Sequence, residues 1–172
     1  DGWPYVRRRG EVAIVGASSA IATGPFMATG SFSEKQEERL ATVLDKLGRA
    51  GLCRVVLIHH PPVKGATAWH KRLSGAARFR KVIARYGAEL VLHGHTHKPT
   101  RLSLAGPTGN VPVIGAPAAT QRPDGRHPAA GFNLFDIEKI DGGFRMRHRL
   151  MQAVPGGAFV ETRAEEIVSR VP

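Results

Sequence analysis

The chain has 172 residues, 42% of them hydrophobic, and a formal net charge of +11. That length and apolar content suit one domain with its own core. A single cysteine excludes an internal disulfide framework, and no stretch approaches the ~20 apolar residues that cross a bilayer. The charge favours an anionic substrate or a nucleic acid, yet the basic residues are dispersed. The densest groups are Arg7 to Arg9 and then Lys71, Arg72, Arg78, Arg80 and Lys81, and the lone Phe79 among them is not the aromatic interleaving of a single-strand platform. No secretory leader is visible, so a cytoplasmic setting is the default expectation.

Residues 11–16 (EVAIVG) read as a buried strand, preceded by a short basic strand over 5–8. Residues 18–31 are small and Gly/Ala-rich and read as a loop. Ser33 with Gln36 three positions later has the spacing of a capping box and starts a helix. Leu40, Val43, Leu44 and Leu47 give that helix its buried face, and Gly48 and Gly51 offer places for it to stop.

Residues 53–58 (CRVVLI) form a β-branched run suited to a central strand, with Cys53 as a small buried residue. The run ends at His59-His60-Pro61-Pro62, where two prolines forbid further ladder bonds. A second helix is expected over 70–86, closed by Gly87. Residues 89–92 (ELVL) are a further strand, running into His93-Gly94-His95-Thr96-His97.

Beyond Pro99 the strand-like segments 101–105, 111–115, 132–138 and 144–152 alternate with turn signals at Gly106-Pro107, Pro123-Asp124-Gly125 and Asp141-Gly142-Gly143. This half reads as an antiparallel meander. Residues 1–153 are expected to form the structured unit, and 154–172 a tail with a short helix over 161–170.

Five of the eight histidines fall in two clusters, each at the carboxyl end of an expected strand. One helix joins those strands, which makes them a parallel βαβ pair, and ligands collect at the carboxyl edge of such sheets. Imidazole is a common ligand for divalent transition metals. His95 and His97 are two apart, so an extended segment would point both the same way, with Gly94 allowing a turn as the strand ends. His59, His95 and His97 are therefore the expected metal ligands. His60 and His93 adjoin them but point elsewhere, and they are expected, with Gly94, to support the ligands. His70, His127 and His148 have no comparable setting.

VVLIHHPP (55–62) and ELVLHGHTH (89–97) resemble the last two signature blocks of the calcineurin-like metallophosphoesterases. Those enzymes carry D-x-H, G-D-x-x-D, G-N-H, a lone His and G-H-x-H in that order. The likeness runs over about residues 2–140 and is nearest the bacterial branch that includes cyclic-nucleotide phosphodiesterases. It implies a four-layer α/β/β/α sandwich, of which this chain is a part, and two divalent ions (Mn, Fe, Zn or Ni). His59 and His95 would bind one ion and His97 the other. The implied reaction is hydrolysis of a phosphodiester or phosphomonoester, with a small phosphate ester as substrate. Arg72 and the loop 64–69 are candidates for touching that substrate.

The sequence contains no D-x-H, no G-D and no G-N-H, and none of its five aspartates stands in such a context. The resemblance therefore implies a C-terminal half, with the bridging carboxylate and the general-acid histidine in a missing N-terminal part. An inactive or single-metal-binding remnant, and a nuclease acting on DNA, remain as alternatives. Other HxH enzymes fit poorly: Pro99 and Thr100 stand where a metallo-β-lactamase block needs Asp and His.

Overall fold

A computed structural model describes residues 2–121 and 128–171. Its centre is a six-stranded sheet in the order β1-β2-β4-β6-β8-β7. β1 (Tyr5–Arg9) forms an edge, antiparallel to β2 (Val12–Gly16). β2, β4 (Cys53–Ile58), β6 (Leu90–His93) and β8 (Gly109–Gly115) are mutually parallel, and β7 (Thr100–Gly106) closes the other edge antiparallel to β8. β3 (Gly30–Ser31) and β5 (Leu73–Ser74) make a separate two-residue parallel pair.

Both helices cover one face of the sheet. α1 (Glu34–Arg49) begins where Ser33 Oγ accepts the Gln36 N–H at 3.3 Å, the expected cap. The reciprocal half of a capping box is absent. Gln36 instead accepts from the Ser18 N–H and donates to the Ser18 carbonyl, both at 3.0 Å, which ties the helix start to the preceding loop. α1 buries Leu40 and Leu44, and α2 (Ala76–Tyr86) buries Phe79, Val82 and Ile83. These side chains meet Val15, Val56, Ile58, Val91 and Val113 from the sheet.

The opposite face carries Cys53, Val55, Leu90 and Ile114, packed against Phe144, Met146 and Ile167 of a second sheet. That sheet is an antiparallel meander of β9 (Gly131–Ile140), β10 (Gly143–Ala153) and β11 (Phe159–Arg170). The order is therefore helices, central sheet, second sheet: three layers of an α/β sandwich. The outer face of the second sheet is mixed: Arg149–Asp136 at 3.0 Å and Arg145–Glu138 at 3.4 Å pair across strands beside the exposed Phe132, Leu134 and Val168.

Four sequence expectations change. The second helix starts at Ala76 and not at residue 70, because Trp69–Lys71 is one 3₁₀ turn, Leu73 pairs with Gly30, and Gly75 takes a left-handed φ of 78°. The meander is split, since β7 and β8 complete the central sheet and only β9 to β11 form the second. The segment over 161–170 is strand, not helix: helix-favouring Glu, Ala and Arg residues are overridden by pairing with the full length of β10. Gly48 lies inside α1 and does not end it; Gly51, at φ 66°, follows the Ala50 cap. The turn signal at Pro123-Asp124-Gly125 and His127 lie outside the described residues. No helix among the described residues is long and apolar enough to cross a membrane.

Gly48 has a packing reason. A Cβ there would sit 2.6 Å from Arg54 Nη1. Arg54 rises from β4 and meets Glu89 just before β6. Nη2 bonds Oε1 at 2.6 Å, Nε bonds Oε2 at 3.0 Å, and the Arg54 backbone N–H bonds Oε2 at 2.6 Å. Nη1 donates to the carbonyl of Tyr86, the last residue of α2, at 2.6 Å. The pair is almost wholly buried. It joins both helices to the amino ends of the two strands whose carboxyl ends carry the histidines.

Candidate metal centre

β4 and β6 are adjacent and parallel, with Ile58 opposite His93. His59 and His95 leave the same sheet edge one and two residues beyond. The Gly94 N–H donates to the His59 carbonyl at 3.1 Å and holds the two strand exits together. A side chain at Gly94 would press on the His59 ring, which stands 3.4 Å from the Cβ position.

The stretch after Gly94 is not extended. The Thr96 N–H turns back to the Gly94 carbonyl at 2.7 Å, with His95 between them at φ 66°; His97 follows at φ 55°. Left-handed backbone at two histidines is costly for residues with a Cβ, and such positions cluster at functional sites. The i, i+2 alternation expected of a strand therefore does not apply. The turn sends His95 toward His59: Nδ1 of His95 lies 3.3 Å from Nε2 of His59. His97 is exposed and makes no hydrogen bond or ring contact in the described residues.

His60 is buried beneath this pair. Its ring centroid is 4.2 Å from that of His95 and 5.0 Å from that of His59. Its nitrogens face Ser19 Oγ at 2.8 Å and the Ala28 carbonyl at 3.1 Å. His93 is also buried, held by the Gly94 carbonyl at 2.9 Å and Thr100 Oγ1 at 3.1 Å. Both are engaged through both ring nitrogens, which suits supporting groups. His148, which has no distinctive setting in the sequence, is buried in the second sheet between Glu165 and Asn133.

The pair is electrostatically unusual. The His95 pKa is lowered to about 4, first by burial, then by His60, His59 and Lys71, while the Lys71 backbone carbonyl opposes the shift. Its Nε2 is buried with no hydrogen-bond partner among the described residues. Burial likewise lowers His60 and His93. Lys71 is the group that sequence reasoning missed; it ends the 3₁₀ turn Trp69–Lys71, and no spacing rule points to it. Arg72 beside it is exposed, and its carbonyl accepts from the Gly30 N–H at 3.1 Å. A hollow of about 350 Å3, lined by Trp3, Tyr5, Leu57, His59, Leu92 and Gly94, opens beside the pair. A larger hollow of about 750 Å3, between the charged outer faces of α1 and α2, contains none of the histidines.

The chemistry of the donors bears on a metal. The contact at 3.3 Å is a hydrogen bond if one ring carries its proton there; with both rings in the other tautomer, two lone pairs converge. Two nitrogens each ~2.1 Å from one ion at a tetrahedral angle stand ~3.4 Å apart, close to the spacing found. The pair thus fits two corners of one coordination shell. Among the described residues, no group of three or more His, Cys, Asp or Glu is arranged to hold an ion.

The two helices, mixed central sheet and antiparallel meander make a fold that a solved dimetal phosphatase shares. Among solved structures, a dimetal phosphatase from Danio rerio superposes with a TM-score of 0.55 at 18% identity, over 83% of this chain and 40% of its own. Vps29 from Chaetomium thermophilum gives 0.38 at 8% identity, over 98% and 59%. A putative 5'-nucleotidase from Staphylococcus aureus, in complex with alpha-ketoglutarate, gives 0.37 at 10%, over 97% and 29%. The last two likenesses are too slight to argue from, and the first speaks for the fold. The chain spans less than two thirds of the length of each of these proteins. No family model and no curated protein matches the sequence.

Proposed function

We propose that this chain supplies the imidazole side of a dinuclear metal centre in a phosphoesterase acting on a small phosphate ester. His59 and His95 share one divalent ion, and His97 serves a second. The observation that carries the reading is the 3.3 Å approach of His59 Nε2 to His95 Nδ1 at the carboxyl edge of adjacent parallel strands. When bound, divalent ions supply Lewis acidity toward a phosphoryl oxygen and toward water. The chain's own residues do the rest. The γ-like turn at His95 presents a neutral ring, and its lowered pKa keeps it neutral well below pH 7. Lys71 and Arg72, both exposed, offer cations to the non-bridging oxygens of the ester.

A second reading has its own support. With no three-donor group among the described residues, the chain fits a single-ion binder with low activity. The two-ion reading instead needs carboxylates supplied from outside these residues. The experiment is a Mn(II) titration followed calorimetrically, with hydrolysis of bis(4-nitrophenyl) phosphate measured alongside. Uptake of about one ion that disappears in His59→Ala and in His95→Ala, with slow hydrolysis, is expected. Uptake unchanged by both substitutions sinks the site.

A further inference from the structure

Residues 17–29 form no helix or strand, yet they border the site, and one side chain holds them there. His60 Nε2 faces the Ala28 carbonyl at 3.1 Å, so that nitrogen carries the proton and donates it. Nδ1 is then an acceptor, and the Ser19 hydroxyl donates to it at 2.8 Å. The same Oγ accepts the His60 backbone N–H at 3.3 Å. Every polar atom of the imidazole is spent on this loop, and no lone pair is left for an ion.

The loop is fastened a second time on its far side. Ala28 N–H donates to the His70 carbonyl at 2.9 Å, Gly30 N–H to the Arg72 carbonyl at 3.1 Å, and Ser31 N–H to the Ser19 carbonyl at 3.0 Å. A Cβ on Gly30 would run into the His60 ring. The ring therefore lies in a slot closed by Gly30 and Ser19, and the strip 70–72 that carries Lys71 is bound to the same loop. On its other side the His60 ring packs against His95, at 4.2 Å between centroids and 39° between planes, and edge-on against His59.

We infer that His60 and Ser19 form a clamp that fixes residues 17–31 as a wall of the site and sets the ring of His95 for metal capture. His60 is a positioning residue, and Ser19 is its anchor. The inference rests on the metal reading of His59 and His95 and adds what holds them in place.

The test is a Co(II) titration of the full chain read by visible absorption, with amide exchange measured on the same proteins. Ser19→Ala removes only a buried hydroxyl whose hydrogen bonds go to His60. It should weaken Co(II) uptake about tenfold and shift the absorption band at saturation, the range typical of groups that orient ligands. His60→Gln keeps a donor for Ala28 and an acceptor for Ser19, so it should fall nearer wild type than His60→Ala. Exchange at Gly30 and Ser31 should quicken at least tenfold in Ser19→Ala. Wild-type uptake and band in Ser19→Ala overturn the clamp. Loss of all uptake in His60→Ala with Ser19→Ala unchanged makes His60 a ligand, and also overturns it. If wild type takes up no Co(II), the metal reading fails, and exchange decides the wall alone: quickening upholds it and unchanged rates remove it.

Discussion

Glu89→Gln is the substitution whose cost follows most directly from the structure. The Glu89 carboxylate accepts three bonds, from Arg54 Nη2, Nε and the Arg54 backbone N–H, at 2.6, 3.0 and 2.6 Å. The Arg54 and Glu89 side chains are 3% and 1% exposed, so solvent screens little of the interaction. Gln is nearly isosteric, but its amide turns a donor toward Arg54 and leaves the guanidinium unneutralised. Removing one partner of a buried pair costs roughly 3–5 kcal/mol. At ~2–4 °C per kcal/mol for a chain of this size, the thermal midpoint should drop by roughly 10 °C. Circular dichroism melts at pH 7 measure it. A cycle with Arg54→Met separates pair from packing: the double variant should be less destabilised than the sum of the singles by at least ~2 kcal/mol. A Glu89→Gln melt within about 2 °C of wild type, or strictly additive singles, would refute the argument.

Further expectations follow from the same packing. Gly48→Ala would ordinarily stabilise a helix by ~1 kcal/mol, but here the Cβ meets Arg54, so urea denaturation should show a loss. Ser33→Ala removes the cap on Gln36 and should cost ~1 kcal/mol in the same assay. Cys53, its thiol pushed up to about 12 by burial, should resist a thiol reagent at pH 8 while folded and react at once in denaturant. His95 is depressed to about 4 from 6.5, so below pH 6.5 the unfolded chain binds the extra proton first. Its contribution to stability is thus whole above pH 6.5 and declines as pH falls toward 4. His95→Gln should flatten that part of the pH–stability curve of the metal-free chain.

The parts of the fold visible in the sequence are those that local chemistry dictates. The β-branched runs before His59 and His93, the serine cap and the four leucine and valine positions of α1 each carry their own signal, and each forms where expected. The two histidine clusters were legible because strand ends and glycine punctuate them. The misread segments are those that distant residues decide. Residues 70–75 became a turn and a strand because Gly30 offers Leu73 a partner and Gly75 adopts a left-handed conformation. The Glu-rich end became β11 because β10 presents a long unpaired edge. Within the site, the direction of His95 depends on a turn at positive φ, which no alternation rule anticipates. Ser19 and Lys71 reach it only through loop closure. Arg54 and Glu89 sit in the expected strands 53–58 and 89–92 with no local signal that pairs them, and are buried partners in the fold.

The arginines at positions 7 to 9 find a use that needs no ligand. Among the described residues β1 is an outer strand of the central sheet, with one row of its backbone groups outside the ladder, and such rows invite other chains to add on. Arg7 lies 5.9 Å over the Tyr5 ring and Arg8 bonds the Gly10 carbonyl at 2.9 Å, so the charges are held along the strand. Two copies approaching edge to edge in antiparallel fashion would set three cations against three at ~5 Å, each facing pair repelling by ~0.8 kcal/mol even in water-like dielectric. A flat apolar strand here would be sticky. This one is self-avoiding toward a second copy of itself, which sets the chain against stacking into ribbons.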